Sequence, residues 1–265
     1  MKILVFLFFV SVLSHAKVYY SKVQPYEIRD ISSNVSGVVL YTNENIIGKK
    51  LSSKPYIRID SQLDRQELEF IEDKLLYLQN IIRTNENVLK NQEKALVKKR
   101  KNYKRIESLK IKSVVEKDRE FYDLINSENQ FLNTQKEIQN LKVQIIDLKL
   151  RRAKLQKSVK DKSLSAKGFV LYAVMVKPGQ VVGVSTPLAK VADISKAILT
   201  IYLDEEDVEG AKKKVVYIDG RRTSYKISRL QNIADLKNIS KYMAQIVIDP
   251  PKLFSKLVKI ELKNE

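Results

Sequence analysis

Apolar residues fall into three regimes along the chain. From Asp60 to Gly168 there is no Gly and no Pro, and the apolar positions repeat every three and four residues. Leu68, Ile71, Leu75, Leu78, Ile82, Asn85, Leu89, Gln92, Leu96, Lys99, Tyr103 and Ile106 keep this spacing. So do Leu124, Ser127, Phe131, Thr134, Ile138, Leu141, Ile145, Leu148, Arg152, Leu155 and Val159. This is a heptad seam, and it predicts two helices, each roughly 70 Å long at about 1.5 Å per residue. A break falls between Lys110 and Ser113, and Ser113-Val114-Val115-Glu116 reads as a capping box that restarts the helix. Two long helices about a tight turn predict an antiparallel hairpin, with Leu75 near Leu148 and Leu89 near Thr134. The polar positions Asn85, Gln92 and Lys99 enter the seam toward the tip and weaken its packing there.

On either side the pattern changes to short β-rich runs. Ser36-Gly37-Val38-Val39-Leu40-Tyr41 is followed by Gly48 and by Tyr56-Ile57-Arg58-Ile59-Asp60. Lys167-Gly168-Phe169-Val170-Leu171-Tyr172 is followed by Gly179 and by Leu188-Ala189-Lys190-Val191-Ala192-Asp193. The pairs Gly37/Gly168 and Gly48/Gly179 share one spacing, and Val39-Leu40-Tyr41 recurs at the same offset as Val170-Leu171-Tyr172. This is an internal repeat, each copy half of a small β-sandwich. Gly48 and Gly179 are expected at φ > 0 in turns, with Pro178 at the corner before the second. Beyond Asp193 come further strands: Ile198–Leu203, Val215–Ile218, Ser224–Leu230, Tyr242–Ile248 and Lys256–Leu262. Asp219-Gly220 is a hairpin turn, Asp204 to Gly210 an acidic helical turn, and Pro250-Pro251 precedes the last strand. These strands predict a small β-barrel or sandwich, completed by Val18–Val23 from the N-terminus.

The N-terminus is a targeting segment: Lys2, the apolar run Ile3–Leu13, then Ser14-His15-Ala16 with small residues at the −3 and −1 positions. The run is too short for the roughly 20 residues a spanning helix needs. Cleavage before Lys17 and export follow, with an uncleaved anchor as the alternative. The chain stops near Leu262, so a further membrane-proximal domain is expected to be absent or rudimentary.

Composition narrows the chemistry. The 265 residues include no Cys and no Trp, and the single His lies in the targeting segment. Thiolate nucleophiles, disulfides, Cys-ligated metals and histidine-dependent triads are therefore excluded from the exported chain. Met175 and Met243 are the only methionines beyond Met1, too few for soft-metal handling. A carboxylate enzyme remains formally open, through Asp204, Glu205, Glu206, Asp207 and Glu209. The net charge of +18 and the run Lys98, Lys99, Arg100, Lys101, Lys104, Arg105, Lys110 and Lys112 raise nucleic-acid binding. No nucleic-acid motif accompanies them, and an exported protein meets little nucleic acid.

Signal segment, half-sandwich, helical hairpin, second half-sandwich, β-barrel: this order resembles the membrane fusion proteins, the periplasmic adaptors of tripartite efflux and type I secretion systems. Val35-Ser36-Gly37-Val38-Val39 with Gly48 carries the resemblance. So does Gly168-Phe169-Val170 with Val176, Pro178, Gly179, Gln180, Val181, Val182 and Pro187-Leu188. It implies an α+β fold: a long antiparallel coiled-coil hairpin inserted between two halves of a lipoyl-like β-sandwich, followed by a small β-barrel domain. The divisions are 1–16 signal peptide, 17–60 N-terminal strand and first lipoyl-like half, 61–160 hairpin, 161–193 second half and 194–265 barrel.

The resemblance implies an assembly protein with no catalytic, cofactor or metal residues. The lipoyl hairpin is replaced by the coiled coil, so no lipoyl or biotin group is expected. It implies a periplasmic ring of copies in a Gram-negative bacterium, bridging an inner-membrane transporter, RND- or ABC-type, at the barrel end and an outer-membrane channel at the hairpin tip. The family's tip motif is Arg, Leu four residues on, then Ser seven beyond. Arg105 and Leu109 match; Glu116 stands where the Ser falls, and Ser113 is the nearest replacement. The alternative reading is an exported coiled-coil oligomerisation protein.

Overall fold

A computed structural model describes residues 17–235, 238 and 240–264; the targeting segment assigned to 1–16 lies outside the described residues. The order is β1 (Val18–Lys22), β2 (Gln24–Ser32), β3 (Gly37–Thr42), β4 (Ile57–Ile59), α1 (Gln62–Ser108), α2 (Val114–Asp161), β5 (Ser163–Leu164), β6 (Val170–Val174), β7 (Val181–Val182), β8 (Pro187–Asp204), α3 (Glu205–Val208), β9 (Val215–Ile218), β10 (Arg221–Arg222), β11 (Ile227–Ala234), β12 (Lys241–Ile248) and β13 (Leu257–Lys263). Among the described residues no helix is long and apolar enough to cross a membrane. The chain divides into two compact units, Val35–Leu40 with Arg58–Leu164, and the remainder.

The helical unit is a two-helix hairpin. Ile71, Leu75, Leu78 and Ile82 of α1 pack with Ile138, Leu141 and Ile145 of α2, flanked by Leu89, Leu148 and Leu155. Full burial of each Leu or Ile contributes about 1.5–3 kcal/mol, which is what holds helices of this length together. Leu96 and Leu124 are buried nearer the tip. Every expected seam position is buried or half-buried except Lys99, which is exposed and donates from Nζ to the Asp123 carbonyl at 3.3 Å. Its flexible stem lets the ammonium escape the seam, where an unpaired charge would be costly. Cross-helix pairs agree with a turn near residue 111: Arg100–Glu128 at 2.9 Å, Arg152–Glu72 at 3.2 Å, Lys142–Glu86 at 3.7 Å, and Arg151 with Glu67. At the base, Asp64 binds Lys162 at 2.9 Å and accepts from the Ser158 hydroxyl at 2.7 Å. There the Ile59 N–H donates to the Lys162 carbonyl and the Asp60 N–H to the Val38 carbonyl, both at 2.8 Å.

The β unit contains one sheet ordered β1-β13-β9-β10 and a second ordered β11-β12-β8-β2, with β6 also on β8. Their shared core includes Ala197, Leu199, Ile201 and Leu203 from β8, Ala244 and Ile246 from β12, and Val258, Ile260 and Leu262 from β13. The alternation of β8 is the period of a strand buried on one face. β1 pairs with β13, Val18 opposite Glu261, so the N-terminal strand does complete this domain. β8 is one strand of 18 residues running through Asp193 and Ile194: it pairs with β12 at one end and with β2 and β6 at the other. The strand expected at Ser224 begins only at Ile227. Thr223 is taken up elsewhere: its N–H and hydroxyl both bond the Val216 carbonyl, at 3.0 and 2.7 Å, closing the β9–β10 hairpin, and 223–226 lie outside any strand.

The repeated segments meet inside this unit. The Gly48 N–H donates to the Leu171 carbonyl at 2.8 Å and the Leu51 N–H to the Phe169 carbonyl at 2.7 Å. Leu51, Tyr56, Ile57, Leu171, Val176, Val182 and Leu188 are buried there. The shared tripeptide, however, is out of phase. In the first copy Val39 is buried and Leu40 is 59% exposed; in the second Leu171 is buried and Tyr172 is 58% exposed. One residue of slip exchanges the faces of a strand, so identical letters at identical spacing present different sides.

Candidate docking tip of the hairpin

The turn between the helices is built by its own hydrogen bonds. The Leu109 N–H donates to the Ile106 carbonyl at 3.1 Å, and the Ser108 hydroxyl to the Arg105 carbonyl at 2.8 Å. Ser113 is the N-cap of α2: its hydroxyl accepts from the Glu116 N–H at 3.3 Å, while the Glu116 carboxylate accepts from the Ser113 N–H at 3.0 Å and from its hydroxyl at 3.1 Å. Lys112 pairs with the same carboxylate at 2.9 Å.

Lys112 and the two Ser113 donors pull the Glu116 carboxyl down to about 2. A depressed carboxyl stabilises above its unfolded range, near 4.5, and that contribution disappears as pH falls through about 2. An NMR titration should therefore find Glu116 ionised down to about pH 2, and Ser113→Ala should move its pKa back up. Loss of that N-cap should also cost the hairpin about 1 kcal/mol in denaturant unfolding.

Ser113 and Glu116 are thus brought together, but turned toward each other. Arg105 is exposed in the last turn of α1, and Leu109 is 38% exposed at its C-cap. Ile111, Val114 and Val115 stand out further, at 89%, 73% and 77% exposure. These three were not among the sequence candidates. They fall outside the heptad seam, and their only signal is an apolar cluster in a turn otherwise made of Lys, Ser and Glu. Behind the tip Phe121 meets Tyr103 at a tilt and Tyr122 edge-on, each with centroids 5.8 Å apart. The result is a small apolar crown inside a collar of Arg105, Lys110, Lys112 and Lys117, suited to a partner groove that is apolar within and acidic at its rim.

The candidate turn glycines lie away from this tip. Gly48, Gly168 and Gly179 have φ of +79°, +97° and +88° with open space about them, while Gly37 has φ +157° and lies close against Ile59.

Two members of the acidic cluster, Asp204 and Asp207, are held in ion pairs. Lys17 binds Asp204, and Asp207 at 3.0 Å; Lys241 approaches Asp204 at 3.6 Å, and the Tyr19 hydroxyl donates to Asp207 at 2.7 Å. Lys17 holds the Asp204 carboxyl below its usual range. Burial pushes Asp207 up, but Tyr19 and Lys17 outweigh it, so this carboxyl is also lowered. A general acid near neutral pH needs the opposite shift. Among the described residues no three His, Cys, Asp or Glu side chains gather to hold a metal.

No family model and no curated protein sequence matches this chain. Solved structures do. MacA from Actinobacillus actinomycetemcomitans aligns over 93% of this chain and 78% of its own, at 15% identity and a TM-score of 0.70. A MacA–MexA chimera carrying the Pseudomonas aeruginosa MexA α-hairpin aligns over 94% and 82%, at 14% identity and 0.60. The membrane fusion protein Spr0693 from Streptococcus pneumoniae aligns over 94% of this chain and all of its own, at 11% identity and 0.54. A hairpin interrupting a repeated β segment, followed by a two-sheet β domain, gives this chain the fold of the membrane fusion proteins, the periplasmic adaptors.

Proposed function

We propose that this protein is a non-catalytic adaptor, exported to the periplasm of a Gram-negative bacterium, that joins an inner-membrane transporter to an outer-membrane channel for export of small molecules or peptides. The observation that carries the reading is the adaptor fold over nearly the whole described chain, with an exposed apolar crown at the far end of its hairpin. A long rigid insert ending in surface-exposed aliphatic side chains is built to reach and dock. Arg105 supplies a forked donor for a partner carboxylate or carbonyl, and Leu109 extends the crown. Ser113 and Glu116 shape the turn from behind. The β domain, whose first strand follows the targeting segment directly, faces the transporter. The transporter's class is RND or ABC.

A ring of copies accords with a second set of apolar positions off the seam. On α1, Leu63, Phe70, Tyr77, Ile81 and Val88 are exposed and fall within about 40° of one line at 100° per residue. On α2, Leu132, Val143, Ile146 and Leu150 do the same. In this reading the α1 stripe of one copy meets the α2 stripe of the next, a heterologous contact that closes into a ring when the rotation allows. Phe70→Asp with Tyr77→Asp should reduce the protein to monomer in light scattering. An unchanged mass would rule the stripes out as the contact.

The adaptor reading is tested by crosslinking in cells. The chain has no Cys, so Ile111→Cys provides a single reactive site, with Leu89→Cys in mid-hairpin as control. A crosslink from residue 111 to an outer-membrane channel, absent from the control, is expected. Tip crosslinks only to other copies, or to an inner-membrane protein, would reverse the polarity or leave the hairpin as an oligomerisation device.

A further inference from the structure

The outward face of α1 carries a line of cations. Arg83, Lys90, Lys94, Lys98, Lys101 and Arg105 are all exposed. At about 100° per residue they fall within an arc of about 80°. At about 1.5 Å per residue the line runs about 33 Å along the helix. Between its ends only Asn87 shares the arc with them. Glu86 and Glu93 lie outside it, and Glu86 meets Lys142 of α2 at 3.7 Å. None of the six cationic side chains forms an ion pair or a hydrogen bond among the described residues. Cations elsewhere on the hairpin do: Arg100, Lys142, Arg152 and Lys162 each pair with a carboxylate. Like charges three or four residues apart destabilise a helix, and Lys90, Lys94, Lys98, Lys101 and Arg105 follow one another at that spacing. A polyanion laid along the line would replace each repulsion by an attraction.

The line stays open when copies assemble as described above. Its centre lies about 140–160° from Leu89, Gln92 and Leu96 of the seam, and about 120° from Val88 in the stripe assigned to the neighbouring copy. Neither α2 nor that neighbour covers it. Its chemistry is not that of a folded partner's groove. Protein interfaces centre on buried aromatic and aliphatic anchors. Here the apolar side chain at the margin is Val97 alone, and most of the cations are lysines, ammonium groups on flexible stems. Such groups suit carboxylates spaced along a hydrated, flexible chain. In the adaptor reading the hairpin crosses the periplasm, and the polymer in that space is the cell wall, whose peptide stems carry free carboxylates.

We infer that this face of α1 binds the carboxylates of cell-wall peptidoglycan and holds the hairpin where it crosses the wall. The inference rests on the adaptor reading for its location and on no feature of the tip.

The test is sedimentation of the purified protein with isolated, protein-free peptidoglycan sacculi. Lys90→Gln with Lys94→Gln and Lys98→Gln removes three exposed ion pairs and should weaken binding by about tenfold. Lys136→Gln with Lys154→Gln and Lys157→Gln, an equal charge change on α2, should leave it within about twofold. Arginine at 90, 94 and 98 should retain binding, and circular dichroism should show all variants folded. Sacculi whose carboxylates have been amidated should no longer retain the parent protein. Equal losses in the two glutamine variants would reduce the effect to diffuse attraction by a chain of net charge +18 and overturn the site. Undiminished binding to amidated sacculi would overturn the carboxylate assignment. In cells, a crosslinker on Lys94→Cys that captured one discrete protein and no wall fragment would make the line a protein-docking face instead. The sacculi contain neither channel nor transporter, so failure here is distinct from failure of the adaptor reading: the Ile111→Cys crosslink to the channel would still form.

Discussion

Ile111→Glu with Val115→Glu should abolish docking of the hairpin to its channel partner while leaving the protein folded and exported. The two side chains are 89% and 77% exposed, so neither substitution disturbs a core. Residue 111 lies in the turn, and residue 115 lies between the two capping-box residues but lends no side-chain bond to the box. In the docked state each aliphatic side chain buried in a partner groove contributes about 1.5–3 kcal/mol, and a carboxylate placed there adds a desolvation cost. A combined loss of 3 kcal/mol or more is over a hundredfold in affinity. The measurement is recovery of the channel with an affinity-tagged adaptor after crosslinking from Leu109→Cys. Ser113→Ala is the contrasting variant. Its hydroxyl faces Glu116, so it should weaken the hairpin while leaving docking nearly intact. Docking that survives the double Glu variant and vanishes with Ser113→Ala would mean that the hydroxyl, not the crown, is what the partner reads.

Gly37→Ala should destabilise the protein far more than Gly168→Ala, although the two glycines are equivalent in the sequence repeat. Both have positive φ, at +157° and +97°. Holding an alanine in a sparsely populated backbone region costs about 1–3 kcal/mol at either site. Only at Gly37 is there a second cost. A Cβ there would lie 2.7 Å from Cγ2 of Ile59, a side chain that is 2% exposed and has nowhere to move. Overpacking of this kind adds about 1–3 kcal/mol. At Gly168 nothing lies within 4 Å of the added atom. Denaturant unfolding followed by helical circular dichroism should therefore give a loss of about 2–6 kcal/mol for Gly37→Ala and about half of that for Gly168→Ala. Equal losses would show that backbone strain alone governs both sites and that Ile59 yields.

The turn chemistry and the two periodicities were legible because each is set by residues close together in the chain. The heptad spacing produced both helices, and Ser113-x-x-Glu116 placed the start of α2 at Val114. Asp219-Gly220 placed a hairpin turn with φ of +49° and +77°, and alternation along Ile198–Leu203 marked the inward face of β8. The tip was located correctly, yet its outward side chains were not all recognised. Arg105 and Leu109 followed from a motif, whereas Ile111, Val114 and Val115 obey no period and are defined only by what fails to cover them.

The sequence by itself determined the hairpin, its ends, its seam and the succession of β segments on either side. Those features rest on hydrogen bonds and packing between residues three, four or seven apart, or on single turns. The tertiary structure alone decided which face each repeated strand buries, since Val39 and Leu171 point inward by virtue of the strands they pair with. It alone carried β8 through into the next domain, freed Lys99 from the seam, and tied Lys17 to Asp204 and Asp207 across most of the chain. Such relations depend on the register between strands distant in sequence. A one-residue change of register alters them all while leaving every local pattern intact.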